Sequence, residues 1–269
     1  MHFQFIKPSG ILAKYVRHYW ILEAEASEGE VCERVVPTGN IELLFHYRKP
    51  FVMKHCDNTT TVQSLSMLGG MSNAYSDVYT QGEAGLLAVK FYPHGACNFF
   101  RFPLVEVENI GINLQEVFNK EIKRIEEQVT AAKDLQNRIA IIERFLISKL
   151  CPVKESEYLL LNQSIQYINS TGGQITAREL CSKLATTPRS LERKFATFMG
   201  KSPKQFIRIV RFQEVLRRLS LGDKTYLTEY AYNNGYFDQS HFIKDFKSLS
   251  GYTPKEFVAL GSCHSDYFG

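Results

Sequence analysis

The sequence has no long apolar run and no recognisable export signal. No stretch approaches the roughly 18 apolar residues that a membrane-spanning helix requires, and the first ten residues, MHFQFIKPSG, lack the basic-then-apolar pattern of a secretion signal. We therefore expect a cytoplasmic protein that does not enter a membrane. With 269 residues, 44% of them hydrophobic and 22% charged, the chain has a globular composition and is long enough for two domains.

Sequence signatures of catalysis are also missing. There is no Gly-x-Ser-x-Gly elbow, phosphate-binding loop or Rossmann fingerprint. The cysteines are scattered, without a Cys-x-x-Cys pair, which argues against a zinc or thiol redox site. We therefore predict no enzymatic activity, no cofactor and no metal. The alternative is an enzyme, such as a DNA-repair protein with a reactive cysteine, which stoichiometric zinc or one hyperreactive thiol would favour. The cysteines are Cys32, Cys56, Cys97, Cys151, Cys181 and Cys263.

A few residues of the N-terminal half are candidates for a site. Small β-barrels sometimes hold a metal with His and Glu, and the candidates here are Glu42, His46, His55 and His94. Glu42 and His46 lie four apart on a predicted strand and share a face, but a third ligand cannot be located. The segment 38–40, TGN, is interpreted as a hairpin turn in preference to a ligand loop.

Positive charge is concentrated in the C-terminal part of the chain. Residues 1–153 contain 16 Lys and Arg against 17 Asp and Glu, whereas residues 154–260 contain 16 against 10, and the net charge of the whole chain is +4. This asymmetry indicates that the second half binds a polyanion. Taken by itself, the surplus of positive charge would also be explained by an ordinary solvated surface.

The first 150 residues combine predicted strands with predicted helices. Short apolar runs between turn signals predict a small β-sandwich or cupin-like β-barrel. From about residue 95 the apolar spacing becomes helical, and the stripe of residues 119–150 either forms a homodimer or packs on the chain's own barrel. A proline and polar residues place a linker at 151–157. The predicted strands are 17–25, 32–37, 40–48, 77–81 and 84–92.

Residues 158–260 are predicted to be helical, followed by a tail at 261–269. Thr176 and Glu179 form a capping box at one helix start, and Thr187 with Pro188 opens the next helix. The fold class is therefore α+β with two domains, the second of them all-α.

This helical region repeats itself with a period of 51 residues. The repeat contains a helix, a tight turn, a second helix and a closing Gly-x-x-Pro-x-x-Phe, which is the anatomy of a helix-turn-helix unit. The first unit has helices at about 177–184 and 188–199, and the second at about 226–233 and 238–250. One linker helix within 202–222 joins them. Matching pairs are Leu191 and Phe242, Phe195 and Phe246, Phe198 and Leu249, Gly200 and Gly251, Pro203 and Pro254, and Phe206 and Phe257.

The repeat predicts double-stranded DNA as the partner. A helix can enter the major groove, where its polar face reaches base edges while nearby cations contact phosphates. If the linker helix holds the second helices about 34 Å apart, one chain reads two successive grooves.

The region 160–258 resembles the AraC-type transcription regulators. The segment LTEYAYNNGYFDQSHFIKDFKSLSGYTPKEF is similar to the family signature, with Tyr236 in place of the usual Phe and Val258 where Arg is common. The resemblance implies DNA contacts from two recognition helices. The residues implied are Arg189, Ser190, Glu192, Arg193, Gln239, Ser240, His241 and Lys244, of which His241 is as consistent with local packing.

The resemblance also implies what the N-terminal domain does. In this family such domains are often cupin-like barrels that bind a small-molecule effector, dimerise, or both, and the regulators contact RNA polymerase. An N-terminal domain that binds only another protein is the alternative. An effector would act by preferring one arrangement of the two domains.

Overall fold

The computed structural model describes residues 2–25, 29–220, 236 and 238–260. The N-terminal part of these residues forms two antiparallel sheets. The five predicted strands are present as β2, β3, β4, β8 and β9, whereas the other strands were not predicted. The bounds are β1 His2–Ile6, β2 Val16–Ala24, β3 Glu30–Val35, β4 Glu42–His46, β5 Val52–His55, β6 Thr60–Val62, β7 Ser66–Gly69, β8 Ser76–Gln81, β9 Ala84–Phe91 and β10 Gly111–Asn113.

The two sheets face each other as a sandwich. One sheet has the order β1-β2-β9-β4-β7-β10 and the other β3-β8-β5-β6. Successive side chains of a strand point to opposite faces, so Trp20 and Leu22 of β2 pack with Val78 of the smaller sheet. Tyr19 and Ile21 point the other way, into a core shared with the helices. The larger sheet is therefore the middle layer of the fold.

Three helices cover the outer face of the larger sheet: α1 Leu114–Phe118, α2 Lys120–Ala131 and α3 Leu135–Lys149. Asp134 caps α3 by accepting a hydrogen bond from the Asn137 amide at 2.8 Å. The apolar stripe of residues 119–150, the candidate dimer interface, is buried in the chain's own core. Its residues Ile122, Val129, Ile142 and Leu146 are at most 1% exposed. The alternative of packing on its own barrel is therefore correct for this stripe, and a dimer through residues 119–150 would need the polar faces of these helices.

The C-terminal part is helical, as predicted. Its bounds are α4 Glu155–Ser170, α5 Ala177–Lys183, α6 Pro188–Met199, α7 Pro203–Ser220, α8 Gln239–Ser250 and α9 Pro254–Ala259. The capping box of Thr176 and Glu179 and the cap of Thr187 are confirmed. The predicted helix 226–233, the turn residues 234, 235 and 237, and the tail 261–269 lie outside the described residues.

The segment predicted as a linker is bonded to the N-terminal domain. The Cys151 and Val153 amides donate to the backbone and side-chain oxygens of Asn98 at 2.7 and 3.1 Å. Buried residues from both sides of this segment, such as Phe99, Leu161 and Phe195, belong to one hydrophobic core. Within the part of the chain that the structure describes, none of the helices is long and apolar enough to cross a membrane.

Candidate nucleic-acid interface and ligand cavity

Helix α6 presents a polar face because its apolar stripe is buried. Leu191, Phe195 and Met199 recur at helical spacing and are at most 1% exposed. The Thr187 hydroxyl accepts from the Ser190 amide at 3.2 Å and fixes the helix start. The predicted contact residues lie on the remaining surface: Arg189, Glu192 and Arg193 are exposed and Ser190 is half-buried.

Helix α8 repeats this arrangement 51 residues later. The Asp238 carboxylate accepts from the His241 amide at 2.7 Å and caps the start of the helix. Phe242, Phe246 and Leu249 are fully buried. Of the predicted contact residues, Ser240, His241 and Lys244 are exposed and Gln239 is half-buried. The His241 ring also meets the Tyr236 ring edge-on at 5.6 Å, so it packs locally while remaining exposed.

Helix α7 joins the two units through both of their cores. Its 18 residues span about 27 Å at 1.5 Å per residue. Phe206 at one end contacts Phe195 of α6, and Phe212 further along contacts Phe246 of α8. Arg208 donates to Asp245 of α8 at 2.5 Å. These contacts hold α6 and α8 in one fixed relation to the linker helix.

The turn after α6 is docked on the N-terminal domain. Gly200 ends the helix with φ +73°, and a Cβ there would lie 2.6 Å from the Leu104 carbonyl oxygen. The next residue, Lys201, has a fully buried side chain whose Nζ lies 2.9 Å from Glu108 Oε1 and 3.2 Å from Asn109 Oδ1. Burial lowers the pKa of Lys201, and the hydrogen bond to Glu108 opposes that effect.

The equivalent turn after α8 is docked as well. Gly251 has φ +79°, and a Cβ there would lie 2.5 Å from Arg34 Nη1. The Arg34 guanidinium lies between the rings of Tyr75 and Tyr252, 4.2 and 4.3 Å from their centroids. It donates to both carboxylate oxygens of Asp77 at 2.7 and 2.8 Å. It also donates to the backbone carbonyl of Ser250 in the last turn of α8, where the unpaired carbonyl groups of a helix C-terminus attract cations. Both recognition helices are therefore anchored to the sandwich at their C-terminal ends.

The TGN segment is a crossing between the sheets and not a hairpin turn. Strand β3 belongs to the smaller sheet and β4 to the larger one, so the prediction of a hairpin was wrong. The segment packs on α7: Gln213 Nε2 donates to the Pro37 carbonyl at 2.6 Å, and Gly39 approaches Phe206. Thr38 and Asn40 also line the cavity described next.

A cavity of about 240 Å³ lies between the two sheets. Its apolar walls come from alternate residues of several strands, such as Phe3, Trp20, Leu44, Met53 and Leu86. Concave, mostly apolar sites with a few convergent polar groups are where proteins bind small molecules. No local pattern in the sequence predicts this cavity, because its lining is assembled by strand pairing.

Three of the polar residues that line the cavity form a row across adjacent strands. His18 of β2 and Glu42 of β4 both pair in register with Lys90 of β9, and Lys90 Nζ lies 3.5 Å from Glu42 Oε1. Burial, followed by the charges of Lys90 and Arg17, lowers the pKa of His18 from 6.5 to about 4. His18 is therefore neutral at pH 7, and the row has no net charge.

The predicted metal candidates are not brought together. His46 Nε2 lies 2.9 Å from Gln63 Oε1, His55 lies 3.0 Å from Thr61 Oγ1, and His94 packs against Tyr158. Among the described residues, no group of three His, Cys, Asp or Glu side chains is placed to hold a metal. Burial raises the pKa of the Cys97 thiol to about 12, so this thiol is a weak nucleophile at neutral pH.

Two protein families match this chain. Residues 180–259 match the family described as a helix-turn-helix domain, and residues 4–113 match a domain of unknown function, DUF6597. The first match covers α6, α7, α8, α9 and most of α5, which are the described elements that carry the repeat. The C-terminal part therefore contains a helix-turn-helix domain over residues 180–259, as the 51-residue repeat predicts, and this match agrees with the resemblance to the AraC-type regulators.

Individual relatives are distant. The uncharacterized HTH-type transcriptional regulator YidL of Escherichia coli K12 is 22% identical over 147 residues, which is 52% of this chain and 49% of that protein. The match thus spans about half the length of this relative.

Solved structures give similarly distant matches. Apo ToxT K231A from Vibrio cholerae has 11% identity and a TM-score of 0.45, over 90% of this chain and 97% of that one. The C-terminal domain of AraT, a response regulator from Geobacillus stearothermophilus, has 22% identity and a TM-score of 0.35, over 38% of this chain and 84% of that one.

Proposed function

We propose that this chain is a sequence-specific transcription regulator that reads two successive major grooves with α6 and α8 and responds to a small-molecule effector. The observation that carries this proposal is the pair of equivalent helices, each capped at its start and each ended by a left-handed glycine, with their polar faces exposed. Their shared attachment to α7 supports a fixed separation, which a reader of two grooves one helical turn apart requires.

In this proposal the exposed polar residues divide into base and phosphate contacts. Arg193 and Lys244 suit guanine, Gln239 suits adenine, and Glu192 can accept from cytosine. Exposed cations on the same faces contact phosphates and make binding sensitive to salt. The full set of proposed contacts is Arg189, Ser190, Glu192 and Arg193 from α6, and Gln239, Ser240, His241 and Lys244 from α8.

The cavity between the sheets is the proposed effector site. Its walls include Val35, next to Arg34, and Asn109, next to Glu108, so it adjoins the contacts that anchor both recognition helices. An effector that binds one arrangement of the domains more tightly shifts the population toward that arrangement. Contact with RNA polymerase, and a homodimer through the polar faces of residues 119–150, complete the proposal.

Selection from randomised DNA duplexes tests the DNA-binding part. The full-length protein should enrich two short sequence blocks about one helical turn apart, and binding should weaken steeply between about 50 and 200 mM salt. Arg193→Ala should relax the preference at a position in one block, and Lys244→Ala at a position in the other.

Two other substitutions provide the matched controls. Lys123→Ala and Arg124→Ala remove the same charges from exposed positions of α2 in the N-terminal domain, and both variants should select the wild-type motif. Enrichment of no motif at either salt concentration, or equal effects of the recognition-helix and control variants, would contradict the proposal.

A further inference from the structure

The cavity between the sheets contains polar atoms that the protein itself does not satisfy. His18 and Asn40 are each 8% exposed. Among the described residues, His18 Nε2 and Asn40 Oδ1 have no hydrogen-bond partner, and both side chains line the cavity. Because a buried polar atom without a partner is costly, a ligand that pairs with these atoms recovers that free energy.

Lys90 and Glu42 balance each other's charge, but each can still form further hydrogen bonds. Their separation of 3.5 Å exceeds the roughly 2.7–2.9 Å of a charge-assisted hydrogen bond. The ammonium can therefore still donate and the carboxylate can still accept. A ligand carboxylate at this end of the cavity would be attracted by Lys90 and repelled by Glu42, and a ligand ammonium the reverse, so neither charge gains a net attraction from the pair.

The size and lining of the cavity limit the rest of the ligand. Benzene fits an apolar cavity of about 150 Å³, so the 240 Å³ here admits about ten non-hydrogen atoms on the same scale. Trp20, Phe3 and Phe51 supply aromatic walls. A single ring with a short chain fills such a space.

We propose that the cavity binds an uncharged, ring-containing molecule of about ten non-hydrogen atoms that carries a hydroxyl or primary amide group. The hydroxyl or amide donates to Asn40 Oδ1 and accepts from Lys90, while the ring packs against Trp20. This inference rests on the proposed function, because it assigns the chemistry of the effector in the same cavity.

A matched series of probes tests the ligand class. The probes are 3-phenylpropan-1-ol, 3-phenylpropanamide, 3-phenylpropanoate, 3-phenylpropylammonium and propylbenzene, titrated into the full-length protein. Trp20 is the single tryptophan of the chain and lines the cavity, so its emission reports binding, with calorimetry as the second readout. The alcohol and the amide should bind about tenfold more tightly than the two ions and the hydrocarbon.

Two variants connect the preference to the named residues. Asn40→Ala should reduce the preference for the alcohol over propylbenzene, because it removes the unpartnered acceptor. Glu42→Gln leaves Lys90 without a counter-charge, so the carboxylate should become the tightest probe. Glu121→Gln is the control, because it removes the partner of a surface lysine, Lys149, and should leave the order of affinities unchanged.

The tightest binding by the carboxylate or the ammonium to the wild-type protein would overturn the proposal, and so would equal binding by propylbenzene or no binding by any probe. The same protein preparation is assayed by duplex selection. Enrichment of a DNA motif without the expected probe order refutes only the ligand assignment, whereas loss of DNA selection with the expected probe order refutes the DNA-binding proposal.

Discussion

Glu108→Ala should destabilise the chain more than Lys201→Met, although each removes one side of the same ion pair. The Lys201 side chain is fully buried, whereas that of Glu108 is 22% exposed. Glu108 also accepts from Asn73 at 2.9 Å and Gln205 at 2.8 Å, so it keeps partners when Lys201 is replaced. Removing Glu108 instead leaves a buried ammonium with the Asn109 side chain alone.

The expected costs follow from this asymmetry. Breaking a buried pair so that one charge is uncompensated costs about 3 kcal/mol, which we assign to Glu108→Ala. Lys201→Met keeps the apolar stem packed and should cost about 1 kcal/mol. The double variant should cost about 2 kcal/mol, less than the sum of the single variants, because it removes the stranded charge.

Urea unfolding with two signals measures these costs. Trp20 emission reports the N-terminal sandwich, and circular dichroism at 222 nm reports mostly the helical domain. The two signals should coincide in the wild type and separate in Glu108→Ala if this pair couples the domains. Glu106→Ala, an exposed carboxylate in the same turn, is the control and should change the free energy of unfolding by less than about 0.5 kcal/mol.

The charge state of Lys201 gives a further check on the same variants. Burial lowers the pKa of Lys201 in the folded state, so the unfolded chain binds more protons up to its pKa near 10.4. Stability therefore rises with pH as the pH approaches that value from below, and raising the pH toward 10 should partly rescue Glu108→Ala but not the double variant. An equal or larger cost for Lys201→Met, or additivity of the two changes within about 0.5 kcal/mol, would refute the reasoning.

Three other predictions concern stability. Gly200→Ala should lower the stability more than Gly251→Ala. The new Cβ at position 200 would meet the backbone carbonyl of Leu104, whereas at position 251 it would meet mainly movable side chains. Comparing the thermal unfolding of the two variants tests this order. Tyr252→Leu should lower the free energy of unfolding by about 1 kcal/mol through loss of its cation–π contact, and an unchanged urea midpoint would contradict this contact. Burial lowers the pKa of His46 to about 4, so this residue alone binds a proton in the unfolded chain and not in the folded chain between pH 6.5 and 4. It contributes up to about 3 kcal/mol to the loss of stability as the pH falls through that range, and His46→Gln should reduce the measured loss by that amount.

The helical domain could be predicted from the sequence because its signals are local. Thr187, Asp238 and the capping box at Thr176 each act within four residues, and all three are present in the structure. The 51-residue repeat added a second, independent indication, because α6 and α8 end in glycines with the same left-handed backbone.

The sandwich could be predicted only as a set of strands. Strand β2 pairs with β9, whose residues lie 60 to 75 positions later than their partners, and no local pattern encodes that pairing. Short strands such as β6 and β10 have three residues each, too few for an alternating pattern to be recognised. The same limitation explains the wrong assignment of the TGN segment, since its role depends on which sheet each flanking strand joins.

The apolar stripe of residues 119–150 shows a different limit. Helical spacing predicts which face is buried but not which surface buries it, so a dimer and a sheet fit the pattern equally. The structure places Ile122 and Leu146 in the chain's own core. The contacts of Arg34 and Lys201 could not be predicted for the same reason, because each joins residues that are distant in the sequence.

The way in which the sandwich holds the helical domain suggests how regulation would work. Both anchoring contacts lie at the C-terminal ends of the recognition helices, after Gly200 and Gly251, while the polar faces of α6 and α8 stay exposed. The N-terminal domain therefore does not cover these faces. It holds the two ends at a separation set by the same strands and turns that enclose the cavity. Under the proposed function, a ligand that changes the distance between these strands would alter the spacing of the two helices and leave their exposure unchanged. The effector would then act on the joint reading of two DNA blocks and hardly at all on binding to a single block.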